Sequence, residues 1–411
     1  MRYSALSLVH NGLGNHQKWG KAWRNAEPKE QYDVIVIGGG GHGLGAAHYL
    51  AKEHGITDVA VLEKGWIGGG NTGRNTMTIR DNYVRAPSVP FHRESMKLWR
   101  GLSRELNFNV MLHERGMITF LQSSAGVSRA IRMANTMSLF DSEYDLLSLH
   151  ELKQKVPGFS GTSRMPIIGG VYHRKIAMAR HDAVAWGYAR SADRMGVDIV
   201  QNCEVTDILC RNNKVVGVQT NRGRISARKV GMAVAGHGSV VAAMAGVKLP
   251  VETRNLQAFV STPVKPVLNE IFVVDGFRIY FMQSDKGELV VGGSTDPYPS
   301  YAQRGTPRVI ETVVEGLVEV FPMFKRMKLL RHWAGMLDVT YDNSPIISRT
   351  DVEGFYVDVA GSGGFKTTPI AARMHADLIA NDRPHPLIRD FGLDRFRTGR
   401  WIIEGGVVAG R

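Results

Sequence analysis

The chain reads as an α/β protein of two discontinuous domains, on three observations. An apolar run at 34–37 ends in the turn Gly38-x-Gly40-x-x-Gly43, continues at helical spacing through Leu44, Ala47, Leu50 and Ala51, and meets a second apolar run at 59–62. That is strand, tight turn, helix and parallel strand, the opening of a doubly wound sheet. Two later apolar stretches that also end in glycine turns, at 229–239 and 354–364, bring the chain back to that sheet. Between them, stretches at 256–261, 277–283 and 288–293 alternate as antiparallel strands do. A chain of 411 residues is also too long for one core. The expectation is a Rossmann-like domain assembled from 32–85, 160–240 and 335–395. An α+β domain on a mixed or antiparallel sheet, from 86–159 and 241–334, is inserted into it, with an N-terminal arm at 1–31 and a tail at 396–411.

The first turn carries specific chemistry. Gly38 permits the tight turn, Gly40 lets the backbone approach a pyrophosphate, and Gly43 lets the helix pack close on the strand. The helix N-terminus, at Gly41 and His42, offers amide hydrogens and a partial positive charge to that pyrophosphate. Glu63 closes the second strand, placed to accept both hydroxyls of an adenosine ribose. A glycine turn that holds nothing is the plain alternative; the strands, the helix and the acid at its offset favour a dinucleotide site.

The continuation selects the dinucleotide. Directly after Glu63-Lys64 comes a second glycine-rich loop, Gly68 to Gly70, followed by Asn71, Arg74 and Asn75. A flavin held through many turnovers needs a second clamp over its pyrophosphate and ribityl chain, whereas a nicotinamide that leaves each cycle does not. FAD is the expected cofactor.

Composition limits the alternatives. The hydrophobic fraction of 43% and charged fraction of 22% are those of a globular protein. The formal charge of +13 is scattered, with no aromatic-interleaved basic stripe. It is read as a solvated basic surface, as attraction for carboxylate substrates, or as docking on an acidic partner. Cys203 and Cys210 form no disulfide framework or metal spacing, and no His/Cys cluster is present, which suits a reducing, cytoplasmic setting. The longest apolar stretch, 230–251, is broken by His237, Ser239, Lys248 and Pro250 and is no membrane span. In the arm, Arg2, Lys18, Lys21 and Arg24 alternate with Trp19 and Trp23, without a secretory apolar core. An organellar transit peptide is one reading; an arm lying on another subunit accounts better for its tryptophans.

In order, helices are expected at 91–106, 128–139 and 150–156, with a strand at 116–121. Asp182 is the expected N-cap of a helix reaching Met195, leaving His181 just outside, where the dipole disfavours its protonated form. A neutral imidazole there suits attack on an activated methyl group, or is simply a histidine packed beside its cap. Strands at 197–205 and 214–219 follow, with Val205 placed to cover an adenine. A helix is expected at 306–321. The last glycine loop, with Gly361 and Gly364, aims amides at a flavin carbonyl, and Lys366 lies over the ring, where a cation favours the anionic reduced form.

These residues resemble the D-amino acid oxidase-like flavoproteins. The carriers are the first glycine loop, Glu63-Lys64, the stretch 69–75, Arg180-His-Asp-Ala-Val-Ala-Trp186 and Gly363-Gly-Phe-Lys366. Over nearly the whole chain the similarity is to beta subunits of heterotetrameric sarcosine oxidases. The resemblance implies oxidation of N-methylglycine, with hydride passing to non-covalent FAD and electrons then to FMN attached covalently at His181 and to oxygen. It implies alpha, gamma and delta partner subunits, with tetrahydrofolate and NAD on the alpha subunit. It assigns Arg80, in Thr78-Ile-Arg-Asp81, and Lys366 to the substrate carboxylate, with Thr78 among the FAD contacts. The chain departs from the family at Arg278, which stands near FMN where a histidine is usual, and in the less bulky loop at 360–364, so a larger N-alkyl amino acid fits. A stand-alone FAD amino acid oxidase or dehydrogenase, and a non-catalytic scaffold subunit, are the other readings.

Overall fold

The computed structural model describes residues 4–17, 20–140, 143–161, 163–361 and 363–405. Arg2, Lys18 and Trp19 of the expected arm lie outside them, as do Ser362 and the tail beyond 405.

The founding unit is as the pattern requires. Strand β1 (Gln31–Ile37) runs parallel to β2 (Val59–Leu62) on one side and to the Gly223–Met232 strand on the other. Asp198–Val200 extends the parallel set beyond β2, and Phe355–Val359 extends it beyond Gly223–Met232. The continuous apolar run in β1 is explained by burial on both faces. Val34 and Val36 enter a core with the Gly41–His54, His181–Arg194 and Thr368–Asn381 helices, while Ile35 and Ile37 enter the opposite core. The hairpin Val205–Arg211/Lys214–Thr220 covers that second face. β1 has strands departing on both sides, so the crevice at its carboxyl end is where such sheets bind ligands.

The inserted sheet has eight strands among the described residues, running from Leu329–Thr340 through Val251–Ser261, Leu289–Thr295, Ile279–Gln283, Ile271–Val274, Met117–Leu121 and Gly169–His173 to Tyr144–Leu147. Only the Ile271–Val274/Met117–Leu121 pair among these is parallel. One face packs Phe120, Phe272, Phe281 and Phe321 beneath the helix Pro307–Val320. The other face looks into the cavity described below.

Several sequence expectations shift. Residues 197–205 are not one strand: Asp198–Val200 ends, and Val205 opens the hairpin whose turn is Asn212-Asn213, both at positive φ. The intervening bend carries Asn202 and Cys203, whose amides bond to the carbonyls of Gly65 and Glu63. The segments 160–240 and 335–395, expected in the dinucleotide domain, also contribute to the inserted sheet, through Gly169–His173 and through the Leu329–Thr340 strand paired along Val251–Ser261. The expected tail is partly anchored: the amides of Ile402 and Glu404 donate to the Asp342 carboxylate and carbonyl at 3.2 and 2.9 Å, beside the buried Arg395–Asp342 ion pair. The arm forms helix Ala5–Leu13, with Leu6, Leu8, Val9 and Leu13 exposed.

Candidate functional site

A cavity of about 1200 Å³ joins the crevice at the end of β1 to the inner face of the inserted sheet. It is larger than a single drug-sized pocket and suits a dinucleotide together with a small substrate.

The glycines at its base are required by geometry. Gly38 has φ +112°, and a Cβ on Gly43 would lie 2.0 Å from the Gly38 carbonyl oxygen. The Gly41–His54 helix begins at Gly40, which has no side chain to cap it; the Gly41 amide donates to Thr72 Oγ1 at 3.0 Å, and this amino end lines the cavity as a polar cradle. The Glu63 carboxylate accepts bonds of 2.8 Å from the Gly39 and Gly65 amides, which fixes it at the cavity wall. Lys64 and Val205 line the same end. These features fit the adenosine diphosphate half of FAD.

The second glycine loop lies against the first, with the Gly68 amide donating to the Gly39 carbonyl at 2.9 Å. Its polar side chains line the cavity but hold the loop itself. Asn71 exchanges bonds with the backbone of Met336, Arg74 donates to the carbonyls of Gly69 and Gly70 and to Gln303, and Asn75 bonds Thr72 and Met77. Read in the sequence as donors to the cofactor, they line the cavity while bonding to the backbone and, for Arg74, to Gln303. A loop built of glycine has few side chains of its own to stiffen it, and these residues supply that stiffness.

His42 ties the first loop to the last. Its ring nitrogens lie 2.8 Å from Asp358 Oδ2 and 2.9 Å from the Gly364 carbonyl oxygen. Burial opposes its protonation, but the Asp358 carboxylate and the Gly364 carbonyl outweigh that and raise its pKa. Gly361 has φ +65° and Gly364 packs against His42, so the closing loop is pinned over the cradle.

Arg80 and Lys366 converge, as expected, on the cavity. The group between them is Tyr83, which sequence reasoning did not single out. The Arg80 guanidinium lies 5.1 Å and the Lys366 ammonium 5.5 Å from its ring centre, and His92 stacks on it at 3.7 Å. Arg80 also donates to Asn82 at 2.7 Å, and Lys366 donates to the Gly363 carbonyl. Burial lowers the pKa of Lys366; Tyr83 opposes the shift and Arg80 adds to it. Burial, then Lys366 and Arg80, push His92 well below its ordinary value, so it stays neutral. The result is a cationic pair, Lys366 buried and Arg80 half-buried, suited to a carboxylate. Tyr83 and His92 carried no signal in the sequence, where they flank the start of an ordinary amphipathic helix.

His181 is the first residue of its helix, with Arg180 at the cap. The expected cap, Asp182, instead binds Arg180 at 2.7 Å and the Ala183 amide at 2.8 Å. His181 Nδ1 has no hydrogen-bond partner among the described residues, and burial lowers its pKa, with Asp182 opposing. His181 stands outside the large cavity, whereas Arg278, expected beside it near FMN, lines that cavity. Thr78 lines the cavity next to Arg80. Among the described residues no His/Cys/Asp/Glu cluster could hold a metal, and no helix is long and apolar enough to cross a membrane.

The family described as FAD dependent oxidoreductase matches residues 33–378. The chain is 47% identical over 408 residues to the sarcosine oxidase subunit beta of Rhizobium meliloti (strain 1021), covering 99% of this chain and 98% of that protein. It is 45% identical over 411 residues to the same-named subunit of Rhodobacter capsulatus, covering 100% and 99%. Among solved structures, the L-proline dehydrogenase of P. horikoshii superposes with a TM-score of 0.83 at 28% identity, covering 90% of this chain and 99% of that one. A glycine oxidase from Bacillus cereus shares the fold, with a TM-score of 0.76 at 24% identity over 87% and 97% of the two chains.

Proposed function

Because the chain belongs to the family of FAD-dependent oxidoreductases and, within it, to the sarcosine oxidase beta subunits, we propose that it oxidises N-methylglycine or a close N-alkyl amino acid. Flavin-dependent oxidation of an amino acid is the activity of this branch. The observation that carries the narrower reading is the pair Arg80 and Lys366, set on the wall of a cavity continuous with the glycine cradle.

FAD, when bound, supplies hydride acceptance from the carbon beside the substrate nitrogen. The chain's own residues provide the setting. The amino end of the Gly41–His54 helix receives the pyrophosphate and Glu63 the ribose hydroxyls, while His42 keeps the closing loop over the cradle. Arg80 and Lys366 fix the substrate carboxylate, and the buried wall around Tyr83 and His92 keeps water from that pair. The overall reaction takes sarcosine, tetrahydrofolate and oxygen to glycine, methylenetetrahydrofolate and hydrogen peroxide, or, with water in place of tetrahydrofolate, to glycine, formaldehyde and hydrogen peroxide. His181 is the proposed attachment point of FMN. Alpha, gamma and delta chains are the proposed partners, the alpha chain carrying tetrahydrofolate and NAD. The uncovered apolar residues of Ala5–Leu13, and exposed Trp186 on the His181 helix, support contact with partners. A second reading, a stand-alone FAD amino acid oxidase or dehydrogenase, is favoured by the likeness to L-proline dehydrogenase and by a cavity built wholly from this chain.

Co-expression with the neighbouring genes, followed by acid precipitation, separates the two. Co-purifying partner chains, FMN retained in the pellet and FAD released would support the subunit of a two-flavin oxidase. FAD alone, all released from a chain active without partners, would establish the second reading.

A further inference from the structure

The cavity has one polar stretch of wall that the carboxylate clamp does not use. Its floor is the face of the inserted sheet opposite the phenylalanine core, and most of that face is apolar: Met117, Leu121, Val171, Ile271 and Val273. One row ends differently. In register, Ile271 faces Met117, Met117 faces His173, and His173 faces Tyr144. The His173 and Tyr144 rings stack at 4.2 Å, and both line the cavity. Behind them, Asp81, next in the chain to Arg80, places Oδ1 3.5 Å from His173 Nε2.

His173 is 1% exposed, yet among the described residues neither of its ring nitrogens has a hydrogen-bond partner, nor does the Tyr144 hydroxyl or Asp81 Oδ1. Buried polar groups in folded proteins are nearly always paired, and a cluster left unpaired on a ligand cavity points to a group that arrives with the ligand. Burial, with Lys175 adding, lowers the His173 pKa to about 4, so the ring is neutral, one nitrogen a donor and the other an acceptor. Tyr144 can likewise donate or accept. A hydroxyl, which does both, complements this pair; a second carboxylate would meet the Asp81 charge behind it.

We propose that His173 and Tyr144 form a subsite for a hydroxyl group, with Asp81 positioning the imidazole, so that among secondary amino acids the enzyme favours those carrying a hydroxyl on the substituent beyond the carboxylate clamp. The proposal rests on the reading of this cavity as the site of amino acid oxidation.

The test uses the assembled, flavin-loaded enzyme and compares kcat/KM for N-(2-hydroxyethyl)glycine with that for N-propylglycine, which has the same chain length without the hydroxyl. The wild-type ratio should favour the hydroxylated amine by about tenfold or more. Tyr144→Phe, His173→Leu and Asp81→Asn should each bring that ratio toward one. A wild-type ratio near one overturns the subsite whatever the variants do, and so does an unchanged ratio in a folded Tyr144→Phe enzyme. If bound flavin is reduced by neither amine nor by N-methylglycine, the oxidation reading itself fails and takes the subsite with it; reduction by all of them with equal efficiency removes the subsite alone.

Discussion

Arg80→Ala tests the carboxylate clamp most directly. In the folded chain the Arg80 guanidinium has a neutral side-chain partner in Asn82 at 2.7 Å and lies 5.1 Å from the Tyr83 ring. Removing it therefore leaves no buried carboxylate stranded, and the loss falls on the substrate. A hydrogen bond between charged groups contributes about 1.5–3 kcal/mol. At about 1.4 kcal/mol per factor of ten, kcat/KM for the amino acid should fall about 10- to 150-fold. Because the carboxylate is gripped equally before and during hydride transfer, most of the loss should appear in KM, with kcat changing little. Arg80 also helps lower the pKa of Lys366, so its removal raises that pKa. Lys366 then stays charged to higher pH, and the alkaline limb of kcat/KM moves upward. Steady-state kinetics across pH measures both effects. An unchanged KM together with an unmoved alkaline limb would refute the clamp.

Gly43→Ala places a methyl group 2.0 Å from the Gly38 carbonyl oxygen and should yield protein that purifies without flavin; retention of a full complement of FAD would contradict the cradle. His181→Ala should abolish acid-stable flavin while leaving releasable FAD, as read by absorbance of pellet and supernatant, and persistence of acid-stable flavin would end its assignment. Asp338, buried and bonded to the Gly236 and Gly238 amides, has its pKa raised by burial to about 6 from an ordinary 3.8. The unfolded chain therefore releases this proton first as pH rises, so this contribution to stability is full below about pH 4 and lost by about pH 6, a change of roughly 3 kcal/mol. Asp338→Asn should remove that slope in urea unfolding measured across pH, and parallel curves for both proteins would disprove the assignment.

The sequence by itself determined the elements whose signals are local. The Gly38–Gly43 turn, β1 and Glu63 were legible because a doubly buried strand must be apolar throughout and the turn needs residues without Cβ. The helices near 91–106 and 306–321 were legible through amphipathic spacing, and they are Ser88–Glu105 and Pro307–Val320 in the folded chain. The clamp pair was read from motif resemblance; in the fold Arg80 and Lys366 both line the cavity, each beside the Tyr83 ring.

Only the tertiary structure decided which sheet each strand joins. Leu329–Thr340 and Gly169–His173 look locally like strands of either sheet, because pairing depends on partners far along the chain. It also decided that Asn71 exchanges bonds with the backbone of Met336, a partner too far along the chain for any local pattern to reveal. Tyr83 and His92, and the row of His173 and Tyr144, were invisible for a related reason. A lone aromatic or histidine at a strand end is ordinary until register sets it beside a charge and a cavity. Burial, which sets the pKa shifts at Lys366, His173 and Asp338, is a property of the packed whole and of no segment.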